Sequence, residues 1–403
     1  MTSSARRSRV AFVIAHLGRG GAQRVAATAA NALVERGIDV HVVTVLDVHP
    51  DAYGLDPKVR RHRRGAYDSR AKGSPSKGEV TRPKGIVARV VSQLARAATR
   101  FEVVRRPLGL AAFSMQLARR TLWLRRTIRD IEPDTVLSFL TQTNILTLLA
   151  TRGMLVRTVV SERNDPRLQR HRQRVVLMRR LLYRWSDLVT ANTHGGMHAL
   201  EQIVPKRKLA FLPNPLSLSD CDAADFAGPT FITVTRLVEQ KGVDVLLRAA
   251  ARAFEILPGW RLAIVGDGPL RDDLQSLARE LGIAARVDWF GHVDDPAPYL
   301  KAAKFFVLTS RFEGSPNALL EAMACGLPAI VSNASPGPLE LVGEEAGGLI
   351  VPVEDVGATA EAIVKLAGDE GLRAALGAAA SERTRVHRLD HAMPVWLKLL
   401  HGA

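Results

Sequence analysis

Val10-Ala-Phe-Val-Ile-Ala15 is an uncharged run, followed by the turn Leu17-Gly-Arg-Gly-Gly-Ala-Gln23, a helical stretch from about Ala22 to Arg36, and Val40-His-Val-Val-Thr-Val-Leu46. A short apolar run closed by glycines reads as a buried strand, and the 3.6-residue apolar spacing after it reads as a helix packed back onto that strand. Strand, helix, strand in this order is a β-α-β unit. Its crossover makes the two strands parallel, and a parallel sheet needs helices on both faces.

The same alternation extends outward. Strands are expected at 135–139, 157–161 and 188–191, with a helix ending near Glu132. Asn214-Pro-Leu-Ser-Leu-Ser-Asp220 then reads as a linker. The pattern restarts with strands at 230–235, 261–265, 287–289, 305–308 and 329–331 and helices at 243–256, 270–281 and 317–325. The expected fold is therefore α/β, with two Rossmann-like doubly wound domains facing a cleft. In such sheets ligands bind beyond the C-terminal ends of the strands, where the glycine-rich and charged motifs of this chain fall.

The chain has 403 residues, 47% of them apolar, enough for two or three packed cores. It contains no run long enough to span a bilayer, and its basic N-terminus leads into too short an apolar stretch for a signal peptide. Cys221 and Cys325 stand far apart, outside any metal-like spacing, as in a protein of a reducing compartment. These features lead to the expectation of a cytoplasmic protein. Of the net charge of +16, most sits between Asp56 and Asp130, where 20 Lys or Arg face 5 Asp or Glu. Such a segment favours an anionic partner. Aromatic residues make up only 5% of the chain, which argues against a nucleic-acid module. From Asp47 to about Ala88 periodicity is lost among Arg60-Arg-His-Arg-Arg64 and Gly73-Ser-Pro-Ser-Lys-Gly78, which reads as a mobile loop. Ile86 to Val104 has helical amphipathic spacing and suits either a membrane surface or packing on its own domain with a solvated basic face.

Glu313-Gly-Ser-Pro-Asn-Ala-Leu-Leu-Glu321 carries the most chemistry. Ser315 reads as an N-cap and Pro316 as the first helical residue, leaving the N–H groups of Asn317, Ala318 and Leu319 to attract an anion. Glu313 would stand outside the helix to accept from sugar hydroxyls, and Glu321 farther in to hold a ribose diol. Arg236 ends a strand and Lys241-Gly242 precedes a helix, together a diphosphate clamp, although either cation alone reads as a solvated surface residue. Gly20-Gly21 permits close approach of a phosphate or sugar, or is simply a tight connection. In Gly266-Asp-Gly-Pro269, Gly268 is expected to cap a helix beginning at Pro269. Phe290-Gly-His-Val293 is placed to offer backbone groups to a flat base. The pairs His194/His198 and His387/His391 have metal-like spacing but lack a third ligand, so no metal is expected.

Gly20-Gly21, Asn214-Pro215, Arg236 with Lys241-Gly242, Gly266 to Pro269 and Glu313 to Glu321 together resemble glycosyltransferase family 4, retaining enzymes of the GT-B fold, in order over nearly the whole chain. The resemblance implies an acceptor-binding domain (1–213), a domain binding a nucleotide-sugar (214–387) and a last helix (388–403) returning to the first domain. Arg236, Lys241 and Glu313 would then act on the departing diphosphate and the sugar. Gly20, Gly21, Gly266, Val293, Ser315, Asn317, Ala318, Leu319 and Glu321 would hold the donor. No cofactor is implied beyond the donor, a UDP-sugar. Same-face attack needs no protein nucleophile, since the leaving phosphate accepts the acceptor's proton.

Ser161-Glu-Arg-Asn-Asp-Pro166 and Ser335-Pro-Gly-Pro-Leu-Glu340 look similar to enzymes that extend polyprenyl-diphosphate-linked glycans of bacterial surfaces. Where many members of the family carry a His-containing motif this chain has Glu162, Arg163 and Asn164, which leaves His16 as the candidate histidine on the acceptor side. The expected partners are a nucleotide-sugar, a glycan or lipid-linked acceptor, and an anionic membrane surface met by residues 56–130 at the inner face of the plasma membrane. A degenerate membrane- or polyanion-binding scaffold and a nucleotide-sugar epimerase are the competing readings. The presence of Arg236, Lys241 and Glu321 disfavours the first, and the basic acceptor-side segment disfavours the second.

Overall fold

A computed structural model describes residues 8–46, 49–64, 102–167, 169, 172–218, 222–343 and 346–402, with side chains in the long helix Glu102–Ile131 from residue 115 onward. Cys221 and the stretch 65–101, which holds most of the expected amphipathic helix, lie outside these residues.

Thirteen described strands form two parallel sheets. The first contains β1 (Arg9–Ile14), β2 (Asp39–Thr44), β3 (Arg60–Arg63), β4 (Thr135–Phe139), β5 (Arg157–Glu162), β6 (Leu188–Ala191) and β7 (Leu209–Phe211), in the order β3-β2-β1-β4-β5-β6-β7. The second contains β8 (Thr230–Val234), β9 (Arg261–Val265), β10 (Val287–Gly291), β11 (Phe305–Leu308), β12 (Ala329–Ser332) and β13 (Gly348–Val351), in the order β10-β9-β8-β11-β12-β13. In each sheet the strand order reverses beside the first strand, between β1 and β4 and between β8 and β11. Open α/β sheets bind ligands at such a switch point. This is the GT-B architecture.

The strands are apolar on both faces because helices cover both. Phe12, Ile14, Leu137 and Phe139 are wholly buried in the first sheet, as are Phe231, Ile264, Phe305 and Phe306 in the second. The last helix, Leu389–His401, packs on the first sheet. Its Trp396 is fully buried, tilted against Phe12 and stacked on Phe139, and donates Nε1–H to the Pro213 carbonyl at 3.0 Å.

Three expectations need correction. The 47–88 loop contains β3, an edge strand that its basic composition hid: it is held not by apolar burial but by Arg61 and Arg63 on Asp51 and by His62 stacked on His41 of β2. The helix of the Glu313–Glu321 segment starts at Asn317, as its periodicity indicates, but its cap is Pro316 rather than Ser315, which makes no capping bond. The helix after β9 spans Arg271–Glu280 rather than beginning at Pro269. Gly266 there has φ +134, and a Cβ would lie 1.8 Å from the Thr235 carbonyl, so the glycine serves the close approach of two strand ends.

Candidate functional site

A cleft of about 1260 Å³ opens between the C-terminal ends of the two sheets. One wall carries His16, Gly20 and Gly21 after β1, Leu140 after β4 and Arg163 to Asp165 after β5. The facing wall carries Arg236 to Lys241 after β8 and Arg311 to Asn317 after β11. Distant segments converge here because parallel strands deliver all their exits to one edge.

Lys241 closes a short 3-10 turn and Gly242 adopts the left-handed conformation (φ +60) that starts the helix Val243–Ile256. A side chain at residue 242 would meet the Thr309 carbonyl at 2.2 Å, so the strand-to-helix turn requires glycine, and that turn aims Lys241 across at Glu313. Lys241 and Glu313 form a short ion pair in which both side chains are largely buried. Ser310 Oγ donates to the Glu313 carboxylate at 2.7 Å, and the Glu313 N–H donates to Ser335 Oγ at 2.9 Å. Arg311 is bound to Asp244 and Glu354, which raises its pKa, the Asp244 hydrogen bonds contributing most. Arg236, in contrast, is exposed, and its side chain has no hydrogen bond or ion pair among the described residues.

Asn317 stands at the seam between the walls. It accepts from Asn214 Nδ2 at 2.7 Å and donates to the Gly21 carbonyl at 3.1 Å. Ser315 Oγ is enclosed without a partner at the cleft edge. Helix Asn317–Ala324 leaves its first N–H groups unbonded by any preceding turn.

On the other wall His16 is half-buried, accepts from the Gly18 N–H at 3.1 Å and meets His49 edge-on; burial, then the neighbouring His49, lowers its pKa. Arg163 is 5% exposed, donates to the Leu212 carbonyl at 3.1 Å and lies over the rings of Phe139 and Trp396. Burial pulls its pKa down to about 9. Glu162, placed on the acceptor side by the sequence, instead points behind the wall: it is 1% exposed and accepts from Tyr183 and Thr141. Burial raises its pKa. Leu140, which carries no signal in the sequence, lines the cleft with φ +73, a strained backbone held by Asn144, whose side chain ties β4 to the Ser161 carbonyl.

The cleft therefore gathers His16, Gly20, Gly21, Arg163, Asn164, Arg236, Lys241, Glu313, Ser315 and Asn317. Gly266 and Val293 do not line it. Ala318 and Leu319 turn their side chains toward the second core, so only their backbone is available to a ligand. Glu321 lies in an adjoining cavity of about 130 Å³. His194 stacks on Phe211 and His387 bonds the Asn214 carbonyl, so these histidines have structural partners. Among the described residues no group of three or more His, Cys, Asp or Glu is arranged to hold a metal.

Residues 20–215 match the family model for glycosyl transferase 4-like domains, and residues 225–383 match that for glycosyl transferases group 1. The chain is 26% identical over 403 residues to a Campylobacter jejuni protein named GalNAc-alpha-(1->4)-GalNAc-alpha-(1->3)-diNAcBac-PP-undecaprenol alpha-1,4-N-acetyl-D-galactosaminyltransferase, covering 97% of this chain and 98% of that one. It is 34% identical over 201 residues to the lipopolysaccharide core biosynthesis glycosyltransferase LpsE of Rhizobium meliloti, covering 48% of this chain and 58% of the relative. Another curated relative is matched over only 23% of its length. Among solved structures, the Anabaena protein HepE in complex with UDP superposes with a TM-score of 0.72 at 16% identity, covering 98% of this chain and 100% of that one.

Proposed function

We propose, from the premise that this chain belongs to the 4-like, group 1 glycosyltransferases of the GT-B fold, that it moves a hexose or N-acetylhexosamine from a UDP-sugar to a glycan carried on a polyprenyl diphosphate, with retention at the anomeric carbon. The observation that carries this is the convergence of Arg236, the Lys241–Glu313 pair and the start of helix Asn317–Ala324 on one wall of a cleft whose other wall carries His16 and the 163–165 loop. Fixed cations and free N–H groups suit a diphosphate, and they matter most where its charge grows as the sugar leaves.

In this reading the bond from the anomeric carbon to the β-phosphate oxygen breaks while the acceptor hydroxyl adds to the same face. The hydroxyl proton passes to the departing phosphate oxygen. Arg236 and the helix start hold that phosphate; Glu313 accepts from a sugar hydroxyl; Glu321 takes the ribose. The engagement of Glu313 with Lys241 and Ser310 suits positioning better than nucleophilic attack. The assignment of residues 1–213 to the acceptor, 214–387 to the donor and 388–403 to the returning helix belongs to the same proposal.

A lipid-linked acceptor also calls for a membrane-facing surface at the cytoplasmic leaflet. Helix Gln173–Leu182 and the turn after it expose Leu177, Leu181 and Trp185, with Arg152 over the Trp185 ring. Between residues 141 and 185 ten arginines face two acids, of which Glu162 is enclosed and Asp165 is paired with Arg167. Arg172, Arg180 and Arg184 of this segment are exposed, and exposed apolar side chains accompanied by exposed arginines fit an anionic headgroup layer. No described helix is long and apolar enough to cross a membrane.

A thermal-shift and hydrolysis screen against UDP, GDP and their sugars tests the donor. Stabilisation by UDP and slow hydrolysis of one UDP-sugar are expected. No response to any nucleotide would overturn the proposal and favour a scaffold.

A further inference from the structure

Glu321 and Asn317 lie four residues apart on one face of helix Asn317–Ala324, and both are gripped from the opposite sheet's first helix, Gly21–Glu35. Asn317 donates to the Gly21 carbonyl, and Arg24 Nη1 reaches both carboxylate oxygens of Glu321, at 2.8 and 3.1 Å. Glu321 is 3% exposed, and among the described residues Arg24 is the one basic residue paired with it. Contact with a single guanidinium nitrogen leaves each carboxylate oxygen with lone-pair capacity for a further donor, which is what a ribose diol would supply.

We infer that Arg24 is a positioning residue that acts through Glu321: supplied by the acceptor-side domain, it orients the carboxylate that recognises the nucleoside's ribose, so ribose recognition requires both halves of the molecule. The inference rests on the proposed role of Glu321 as the ribose-binding carboxylate and adds a residue from the other domain to that site.

The electrostatic setting agrees. Burial raises the Glu321 pKa to about 7; Asp295 pushes in the same direction, and Arg24 opposes both. Removing Arg24 takes away that opposition, so the carboxyl stays protonated to higher pH and becomes a poorer acceptor for two hydroxyls. Wild-type ribose recognition is then strongest above pH 7 and fades as pH falls through it. In Arg24→Ala the same transition lies at higher pH.

The test is calorimetric titration of the full chain with UDP and with 2′-deoxy-UDP at pH 6.5, 7.5 and 9, for wild type, Arg24→Ala, Arg24→Lys and Glu321→Gln. Wild type is expected to prefer UDP over its deoxy analogue at pH 7.5 by about tenfold, the scale of one lost hydrogen bond to a charged group. Arg24→Ala should lose most of that preference at pH 7.5 and regain part of it at pH 9, with Arg24→Lys in between. A residue that only braced the two domains would weaken both nucleotides alike and leave their ratio unchanged. An unchanged ratio in Arg24→Ala, with the ratio lost in Glu321→Gln, overturns the role of Arg24 alone. A ratio preserved in Glu321→Gln overturns the ribose reading itself.

Discussion

Arg236→Ala removes the exposed, unpartnered arginine on the donor wall. Two unit charges about 4 Å apart interact by roughly 1 kcal/mol in bulk water and roughly 4 kcal/mol at an effective dielectric near 20. Arg236 sits at the mouth of a cleft, between those limits, so about 2–3 kcal/mol of its attraction for the leaving diphosphate should be lost at the transition state, about a 30- to 150-fold fall in kcat. Its exposure and lack of partners mean that the fold should hold, and thermal unfolding in the absence of nucleotide should match wild type within a degree or two. The assay is steady-state hydrolysis of the UDP-sugar selected by the screen, with kcat and KM separated. If KM rises alone, Arg236 binds ground state and transition state equally and is not a catalytic group. An unchanged kcat/KM would refute its contact with the diphosphate altogether.

Lys241→Ala strands the buried Glu313 carboxylate with Ser310 and should cost about 3 kcal/mol in stability as well as activity, measurable by urea unfolding of the nucleotide-free protein. Trp396→Ala should destabilise by about 3–5 kcal/mol in the same experiment, because it empties the space beside Phe12 and Phe139 and leaves the Pro213 carbonyl without its donor. Replacing Leu177 and Leu181 by Ser should reduce sedimentation with phosphatidylglycerol vesicles severalfold while leaving UDP binding intact, since both side chains are exposed and outside the cleft. Binding to neutral and anionic vesicles alike, or equal binding by the variant, would count against that face.

The fold was legible because most of its strands have interiors buried on both sides and so announce themselves as short apolar runs. The observed bounds of β4, β6, β9 and β11 coincide with those runs. β3 was not legible: its sequence Arg60-Arg-His-Arg is basic, and what fixes it is pairing with β2 and ion pairs to Asp51 in the preceding loop. Short helices such as His194–Leu200 carry too few turns to impose a period, and Glu340 of the other domain receives the N–H groups of His194 and Gly195 at that helix's start. Site residues that exit strands could be ranked from sequence because every exit opens onto the same edge. The direction of each side chain could not. Glu162 and Arg163 are neighbours at the end of β5, yet one points behind the wall to Tyr183 while the other lies over Trp396 of the last helix, a contact between residues more than two hundred positions apart. The strain at Leu140 and the pairing of Arg24 with Glu321 are likewise properties of assembled elements.

The charge arrangement of the cleft also bears on the order of events. Arg167 is paired with Asp165, Arg311 with Asp244 and Glu354, and Lys241 with Glu313. Among the described cleft-lining cations on the wall formed by the second sheet, Arg236 is the one with no anionic partner, so on the proposed reading it is the first contact for an arriving diphosphate. Lys241 is the next nearest in kind, but only by exchanging Glu313 for phosphate. That exchange gives Lys241 a new anion but leaves the buried Glu313 carboxylate without its cation, so it requires a donor to take the place of Lys241 on the carboxylate. It also frees a Glu313 oxygen at the moment a sugar hydroxyl is brought beside it, while Ser310 keeps the carboxylate in place. On the proposed reading, diphosphate capture and sugar recognition are thus one step. A free monosaccharide, which brings no phosphate to take Lys241, should bind far more weakly than its nucleotide-linked form, by more than the loss of the nucleotide's own contacts.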